Sequence, residues 1–381
     1  MAVNNNAYKA LNNLVQYATS GQADEIVDYA TLVEVGKKIT DMSHTDWQNN
    51  FINAFANRII KIIDTARNYE GKYKDLTLGD IPVGNAIELI IQHFYDAEAA
   101  EFVNLQEGQS VDQYKIYKPK ADVDYFVDSN TYKIPITIQY EQVKKAFTSI
   151  GEMDNFFRGV MMYIMNSNEL RREAGRAALM ADAIVEASTA TAATGPNDAA
   201  RRYPLLTMYN AIAGVNLTAD NCLYNEEFVK FMGKQIKMIM KKTENPSTSF
   251  NKNGMLTFTK PENRHLFVAS PATSSMEAYI RSTSNRDPDA VMFTNYIDVP
   301  FWQNEKNPLV VTYKDSGGQE KTTAPVVAML TDKYNIAEYL FKQDLRTTPF
   351  NAAGEYWNYF LNVETRLLRC DSANCVIFTL E

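Results

Sequence analysis

The sequence predicts an α+β fold in which helices and extended strands alternate along one elongated subunit. Three patterns carry that prediction. Apolar residues recur every three or four positions from Trp47 to Ile63. A two-residue alternation runs unbroken from Tyr132 to Tyr140. Between about Met153 and Ala187 lies a stretch with no proline and almost no glycine, long enough for a helix of several turns.

Composition agrees with a packed chain and narrows what it does. Of 381 residues, 45% are hydrophobic, enough for a substantial core. The 22 tyrosines and 19 phenylalanines suit large interfaces as well as interiors. The formal charge of −8 argues against a dedicated nucleic-acid binder, which carries a net basic domain. Contacts to phosphate are expected to be weak and scattered, with no basic stripe. Such a chain can still enclose nucleic acid without gripping it. Cys222, Cys370 and Cys375 are too few and too odd for a disulfide framework. They imply a reducing site of synthesis and buried, apolar thiols, not a metal site. The start Met1-Ala-Val-Asn-Asn-Asn has neither the basic nor the apolar region of a signal peptide. No apolar run approaches 18 residues, so no membrane span is expected.

The elements follow in order. The first 70 residues read as helices. Thr45 and Gln48 have capping-box spacing, and Trp47, Phe51, Phe55, Ile59, Ile62 and Ile63 form one apolar face. Gly71 to Gly84 is a turn-rich connector. From Ala86 the period shortens, and Ile87, Leu89, Ile91, His93 and Tyr95 read as a strand. His93 is expected to pack, not to act as a base.

Leu105 to Tyr140 is the most informative stretch. Val123, Tyr125 and Val127 alternate with Asp122, Asp124 and Asp128, and Asp128-Ser-Asn130 supplies turn chemistry. Tyr132, Ile134, Ile136, Ile138 and Tyr140 then alternate with Lys133, Pro135, Thr137 and Gln139. Two such runs joined by a turn predict a β-hairpin over about 105–140. Pro135 has no N–H to give a ladder, so part of it lies at an edge. An isolated hairpin is marginal alone, so this one reads as an arm that packs on a neighbour. The aspartates read as charges guarding the strand edge, since the glycine and bidentate glutamate of a calcium loop are missing.

In the long helix, Phe156, Phe157, Val160, Met161, Ile164 and Met165 make an apolar stripe, and Ala174, Ala177, Ala178 and Ala181 make the later half slim. Arg171, Arg172 and Arg176 with Glu169 and Glu173 read as a solvated face or interface rim. The tract from Ser188 to Pro196 reads as a flexible exit. Residues 205–345 read as a compact α+β block. Asn225 caps a helix carrying Phe228, Phe231, Met232, Ile236 and Ile239. His265 to Pro271 is a buried strand ending on a turn. Ser316-Gly-Gly-Gln319 tips a hairpin between Leu309–Tyr313 and Ala324–Leu330. Trp357, Tyr359, Leu361, Val363 and Leu367 alternate in a late strand, followed by a short apolar one from Cys375 to Leu380.

Chemistry is not encoded in any local motif. There is no P-loop, dinucleotide glycine fingerprint, zincin helix, EF-hand or Gly-x-Ser-x-Gly elbow. His44, His93 and His265 stand far apart. The expectation is no catalytic residue, no cofactor and no metal, and a protein that is not an enzyme.

The order of elements resembles that of the major capsid proteins of tailed double-stranded DNA bacteriophages, with the Hong Kong 97 fold. Tyr132-Lys-Ile-Pro-Ile-Thr-Ile-Gln-Tyr-Glu-Gln-Val-Lys-Lys-Ala-Phe147 and Gly354-Glu-Tyr-Trp-Asn-Tyr-Phe360 are similar to stretches of capsid proteins from short-tailed and related phages. The resemblance covers the chain from about Gly84 to the end. It implies a helical N-terminal arm (1–83), P-domain strands with an extended E-loop (84–145, hairpin about 105–140), and a spine helix with its exit (146–204). An A-domain with associated P-domain elements (205–345) and C-terminal return strands (346–381) complete it. It further implies hexamers and pentamers that self-assemble in the host bacterial cytoplasm into an icosahedral head. That head matures from a procapsid and encloses double-stranded DNA without sequence-specific binding. A scaffolding protein, a portal and decoration proteins are the implied partners. In this family the E-loop lies over the adjacent subunit. Tyr114, Ile116, Tyr117 and Tyr125 would then supply apolar contact, and Lys118 and Lys120 would face acidic groups of the neighbour. Some members cross-link through an E-loop lysine. Lys115, Lys118 and Lys120 lie in that region but match no partner asparagine, so no reactive residue is carried over. Two other readings stand beside this one: an encapsulin-like nanocompartment shell of the same fold, and an enzyme or binding protein whose site assembles only in three dimensions.

Overall fold

The described residues fold as two large sheets on one long helix, with two two-stranded pairs beside them. The computed structural model describes residues 12–13, 15–16, 19–22, 25–26, 29–40, 46–47, 50, 69, 71–80, 87–92, 106–108, 110, 114, 116, 121–126, 129–146, 150–283, 293, 295–315 and 317–381. Most of the expected helical face from Thr45 to Ile63 lies outside them.

The first sheet has four strands. β11 (Ile336–Thr347) and β12 (Tyr356–Arg369) form its central antiparallel pair. β1 (Thr77–Asp80) adds in parallel to β11, and β4 (Asn130–Gln139) adds antiparallel to β12. β4 alternates as the sequence predicts: Ile134 and Ile138 are buried, while Lys133, Pro135, Thr137 and Gln139 are exposed. It is an edge strand, which is where Pro135 can be tolerated. Its apolar side chains share one face with Trp357, Tyr359, Leu361 and Val363 of β12. Over that face lie α1 (Tyr29–Thr40) through Leu32, Val35 and Ile39, α2 (Tyr140–Ala146) through Val143, and the long helix α3 (Ile150–Ser188) through Ile164. Val15, Ile26 and α1 are therefore built into this core and do not stand free of it.

The prediction of one hairpin over 105–140 is corrected. β3 (Ala121–Phe126) pairs with β2 (Ile87–Gln92), and β4 pairs with β12. Asp128 lies outside the described residues, and turn chemistry there does not say which strand the next run meets. A ten-residue strand with one apolar face gains more from the long apolar face of β12 than from the shorter, aspartate-bearing β3.

α3 has 39 residues, about 58 Å at 1.5 Å each. Its slim second half is closely approached. A methyl at Gly175 would stand 3.6 Å from Leu367 of β12.

The second sheet runs β5 (Arg202–Pro204), β13 (Cys375–Thr379), β10 (Val326–Asp332), β6 (Arg264–Ala269), β7 (Ile297–Val299). β10 and β13 are buried at every position, because helices cover both faces. Val268, Ala328, Leu330, Val376 and Phe378 face α4 (Leu205–Ala213), α5 (Glu226–Lys242) and α6 (Ser270–Thr283). Phe267, Ala269, Met329 and Ile377 face Met180, Ala183, Ile184 and Ala187 of α3. The period-two geometry of strands thus places α5 and α3 on opposite sides of this sheet.

Asn225 caps α5 as expected, its Oδ1 accepting from the Phe228 N–H at 3.0 Å. Three local expectations are corrected. β6 runs straight into α6, because Pro271 fits the first helical turn. The exit after α3 is a built turn: Asp198 Oδ2 accepts from the N–H groups of Thr194 and Gly195 at 2.9 and 2.8 Å, and Ala193 is buried. The tip around Asp315 closes a short hairpin, β8 (Thr312–Lys314) with β9 (Glu320–Thr322), whereas the apolar run after Ala324 belongs to the central strand β10.

Candidate assembly surfaces and the spine seam

β2 and β3 form a two-stranded ribbon that belongs to neither large sheet. Its register sets Ile87 opposite Phe126, Glu88 opposite Tyr125, and Gln92 opposite Ala121. The connection between the strands carries Tyr114 and Ile116, which are 88% and 79% exposed. Ile90 of β2 is exposed as well. The ribbon thus joins three of the expected contact residues: Tyr125 in a strand, Tyr114 and Ile116 beyond it. Tyr117, Lys118 and Lys120 lie outside the described residues. Apolar side chains this exposed on a two-stranded element gain little within one chain.

Three of the charged residues expected on a solvated face or interface rim of α3, Glu169, Arg172 and Arg176, are buried instead. Arg172 and Arg176 are buried with Glu169 and with Glu338 of β11. Arg172 Nε and Nη2 donate to the two Glu338 carboxylate oxygens, each at 3.0 Å. Arg176 Nε donates to Glu338 Oε2 at 2.6 Å, and its Nη1 donates to Glu169 Oε1 at 3.0 Å. Two guanidinium groups and two carboxylates make a neutral cluster in the seam between helix and sheet. Burial pushes the Glu338 carboxyl up, but the hydrogen bond from Arg172 and the charges of Arg172 and Arg176 outweigh it and hold it below its ordinary value. Only Arg171 keeps the expected exposed position, lying over the Tyr132 ring at 5.8 Å.

A strap made of residue 69 and residues 71–80 closes this seam. Thr77 Oγ1 donates to Glu338 Oε2 at 3.0 Å. The Tyr69 hydroxyl donates to Glu173, and the Lys72 N–H donates to the same carboxylate at 3.2 Å. The bond to Glu173, with burial, pushes the Tyr69 phenol up to about 12. Gly71 passes so close that a Cβ there would stand 2.7 Å from Glu169 Oε1. Tyr73 and Leu76 anchor the strap in the α3-facing core.

A second ionic cluster holds the far end of α3. Arg201 donates to both carboxylate oxygens of Glu186, and Arg369 reaches Asp182, Glu186 and Asp371. The three thiols are buried, and burial raises Cys222 and Cys375 to about 11, which keeps them protonated and poor ligands. Among the described residues no group of three or more His, Cys, Asp or Glu side chains is placed to hold a metal, and no helix is long and apolar enough to cross a membrane.

Four lysines stand together on one helix. Lys230, Lys234, Lys237 and Lys241 are exposed and follow one another at steps of four, three and four along α5. Those steps put them on one side of the helix.

A model of the Phi29-like phage major capsid protein family matches residues 11–379. No curated protein matches. Among solved structures, the capsid of Staphylococcus phage Andhra aligns at 11% identity with a TM-score of 0.50, covering 82% of this chain and 84% of the phage chain. The capsid of cyanophage P-SCSP1u aligns at 10% identity with a TM-score of 0.43, covering 83% and 89%.

Proposed function

The chain belongs to the Phi29-like phage major capsid protein family, and we propose that it closes, as hexamers and pentamers of itself, around double-stranded DNA. Its fold is the α+β capsid fold of Hong Kong 97 type, and its role is that of a structural subunit of an icosahedral phage head. The match over residues 11–379 carries this reading and favours a phage head over a nanocompartment. Closed symmetry then satisfies the same patches on every copy.

In this reading the four-stranded sheet and α3 are the P-domain and its spine. The five-stranded sheet with α4, α5 and α6 is the A-domain, and the β2–β3 ribbon is the E-loop. The ribbon lies over the adjacent subunit. Tyr114, Ile116, Tyr117 and Tyr125 supply its apolar contact, and Lys118 and Lys120 set its register against acidic groups. The exposure of Tyr114 and Ile116 supports this role. A scaffolding protein, a portal and decoration proteins are the partners such a head requires, and assembly takes place in the host cytoplasm. The subunit performs no catalytic step.

The test is the mass of the protein expressed with its neighbouring head genes, by sedimentation or light scattering. Closed shells are expected. A persistent monomer or dimer overturns the proposal.

A further inference from the structure

Helix α5 carries a row of lysines that the fold leaves facing water, and we propose that this row contacts the phosphates of duplex DNA held inside the shell. The proposal rests on the capsid reading above and adds a site to it. Phe228, Val229, Met232, Ile236 and Ile239 bury one face of α5 against the five-stranded sheet. Lys234, Lys237 and Lys241 occupy the other. Lys230, at the start of the row, is neutralised by Glu226 at 2.9 Å and Glu227 at 3.1 Å. Glu244, just past the far end, is engaged by Arg264 at 2.9 Å. Among the described residues, no ion pair involves the three lysines between. Complementing the helix dipole accounts for cations in the last turn, which covers Lys241 but not Lys234 and Lys237 near the middle.

The row points to a polyanion and not to a protein surface. Stable protein interfaces are built on apolar anchors, and α5 exposes no large apolar side chain. Lys237 shows the one aromatic contact, its Nζ 6.0 Å from the buried Phe293 ring. From Lys234 to Lys241 the helix rises about 10 Å. A duplex presents one negative charge per about 1.7 Å of axis, so about six phosphates lie along that length. Phosphate contact needs charge alone and carries no sequence information. Subunits of charge −8 repel DNA, and a local basic row offsets that repulsion where the duplex approaches.

The test compares the full chain with a K234Q/K237Q/K241Q variant and a K234R/K237R/K241R variant. Binding of a short duplex of arbitrary sequence is followed by fluorescence anisotropy across a salt series. Three phosphate contacts contribute about −2.7 to the slope of log affinity against log salt, at about −0.9 each. The glutamine variant should lose that part of the slope and roughly tenfold or more in affinity at low salt. The arginine variant should keep both. Shell closure, read separately by light scattering, should be unchanged in all three, so loss of the capsid reading and loss of this site are told apart. Equal DNA affinity in wild type and glutamine variant overturns the proposal. So does a glutamine variant that loses shell closure while keeping its DNA affinity, which would assign the row to a protein contact.

Discussion

Arg172 and Glu338 meet as a planar fork across the spine seam, two N–H···O bonds of 3.0 Å between residues 166 positions apart in the chain. With Arg176 and Glu169 they hold the long helix on the four-stranded sheet. Such a cluster is costly to desolvate as a whole but much costlier to leave half-filled. Glu338→Ala leaves two buried guanidinium groups short of a partner. It should cost about 3–5 kcal/mol, read as a lower midpoint in urea with an unchanged slope. An unaltered midpoint would mean that the seam does not depend on this pairing.

The same carboxylate gives stability a pH dependence. Glu338 is held below its ordinary value in the folded chain, so its contribution is fully present above the unfolded value of about 4.3. It is lost as pH falls through the lower folded value. The stability gap between wild type and Glu338→Gln should therefore be widest at neutral pH and shrink below about pH 4.3. Denaturant midpoints from pH 7 downward, approximately in unit steps, check it. A gap that stays constant into acid would remove Glu338 as its source.

Gly71 is the tightest point of the strap. An added methyl meets Glu169 Oε1 at 2.7 Å and Arg176 Nη1 at 3.4 Å, and both groups are held by the cluster. Gly71→Ala should cost about 1–3 kcal/mol, the range for overpacking. It should also speed amide exchange at residues 72–80 while sparing β10 and β13. Uniform loss of protection would show that the strap does not open on its own.

These charges illustrate what the sequence could and could not disclose. The steps of three and four among Glu169, Arg172, Glu173 and Arg176 are the same on a wet helix face and in a dry seam. What separates the two is Glu338, and nothing local to it marks a partner on a distant helix. The alternation of Tyr132–Tyr140 disclosed a face and even an edge position through Pro135, but period two does not name the neighbouring strand. So β4 was assigned to the nearer run and pairs with the farther one. The lysine row was legible at steps of four, three and four. Net charge, a sum over the whole chain, concealed it.

Tyr359 offers a test in the opposite direction. Its ring is buried in the core between β12 and the helices, and its hydroxyl has no hydrogen-bond partner among the described residues. Burial raises its phenol far above the ordinary value. An unsatisfied buried hydroxyl costs about 1–3 kcal/mol, and phenylalanine keeps the ring while removing it. Tyr359→Phe should raise stability by about 1 kcal/mol, visible as a higher urea midpoint. A drop of similar size would reveal a partner that the hydroxyl acquires in solution.

The assembly role proposed for the ribbon can be tested apart from folding. β2 and β3 pair only with each other among the described strands. The two large cores draw on β4, β12, α1, α2 and α3 on one side and on the five-stranded sheet on the other. Among the described side chains, none of β2 or β3 appears in the buried clusters of the two large sheets. Removing both strands together matters, because cutting between 105 and 130 would leave β2 unpaired and would take Asn130 from its place opposite Thr365. Replacing residues 87–126 with a short Gly-Ser link should leave β4, the spine and both sheets intact. The variant should unfold cooperatively with nearly the wild-type midpoint, yet form no shells under conditions where wild type closes. Under the proposed function, Tyr114, Ile116 and Ile90, exposed in the single chain, are the side chains that a second copy would cover. A variant that closes normal shells would show that the ribbon is not an intersubunit arm. One that cannot fold would place the ribbon in the core after all, and a Tyr114→Ser/Ile116→Ser double variant of the full chain would then decide the assembly role by itself, since side chains this exposed can change without disturbing the fold.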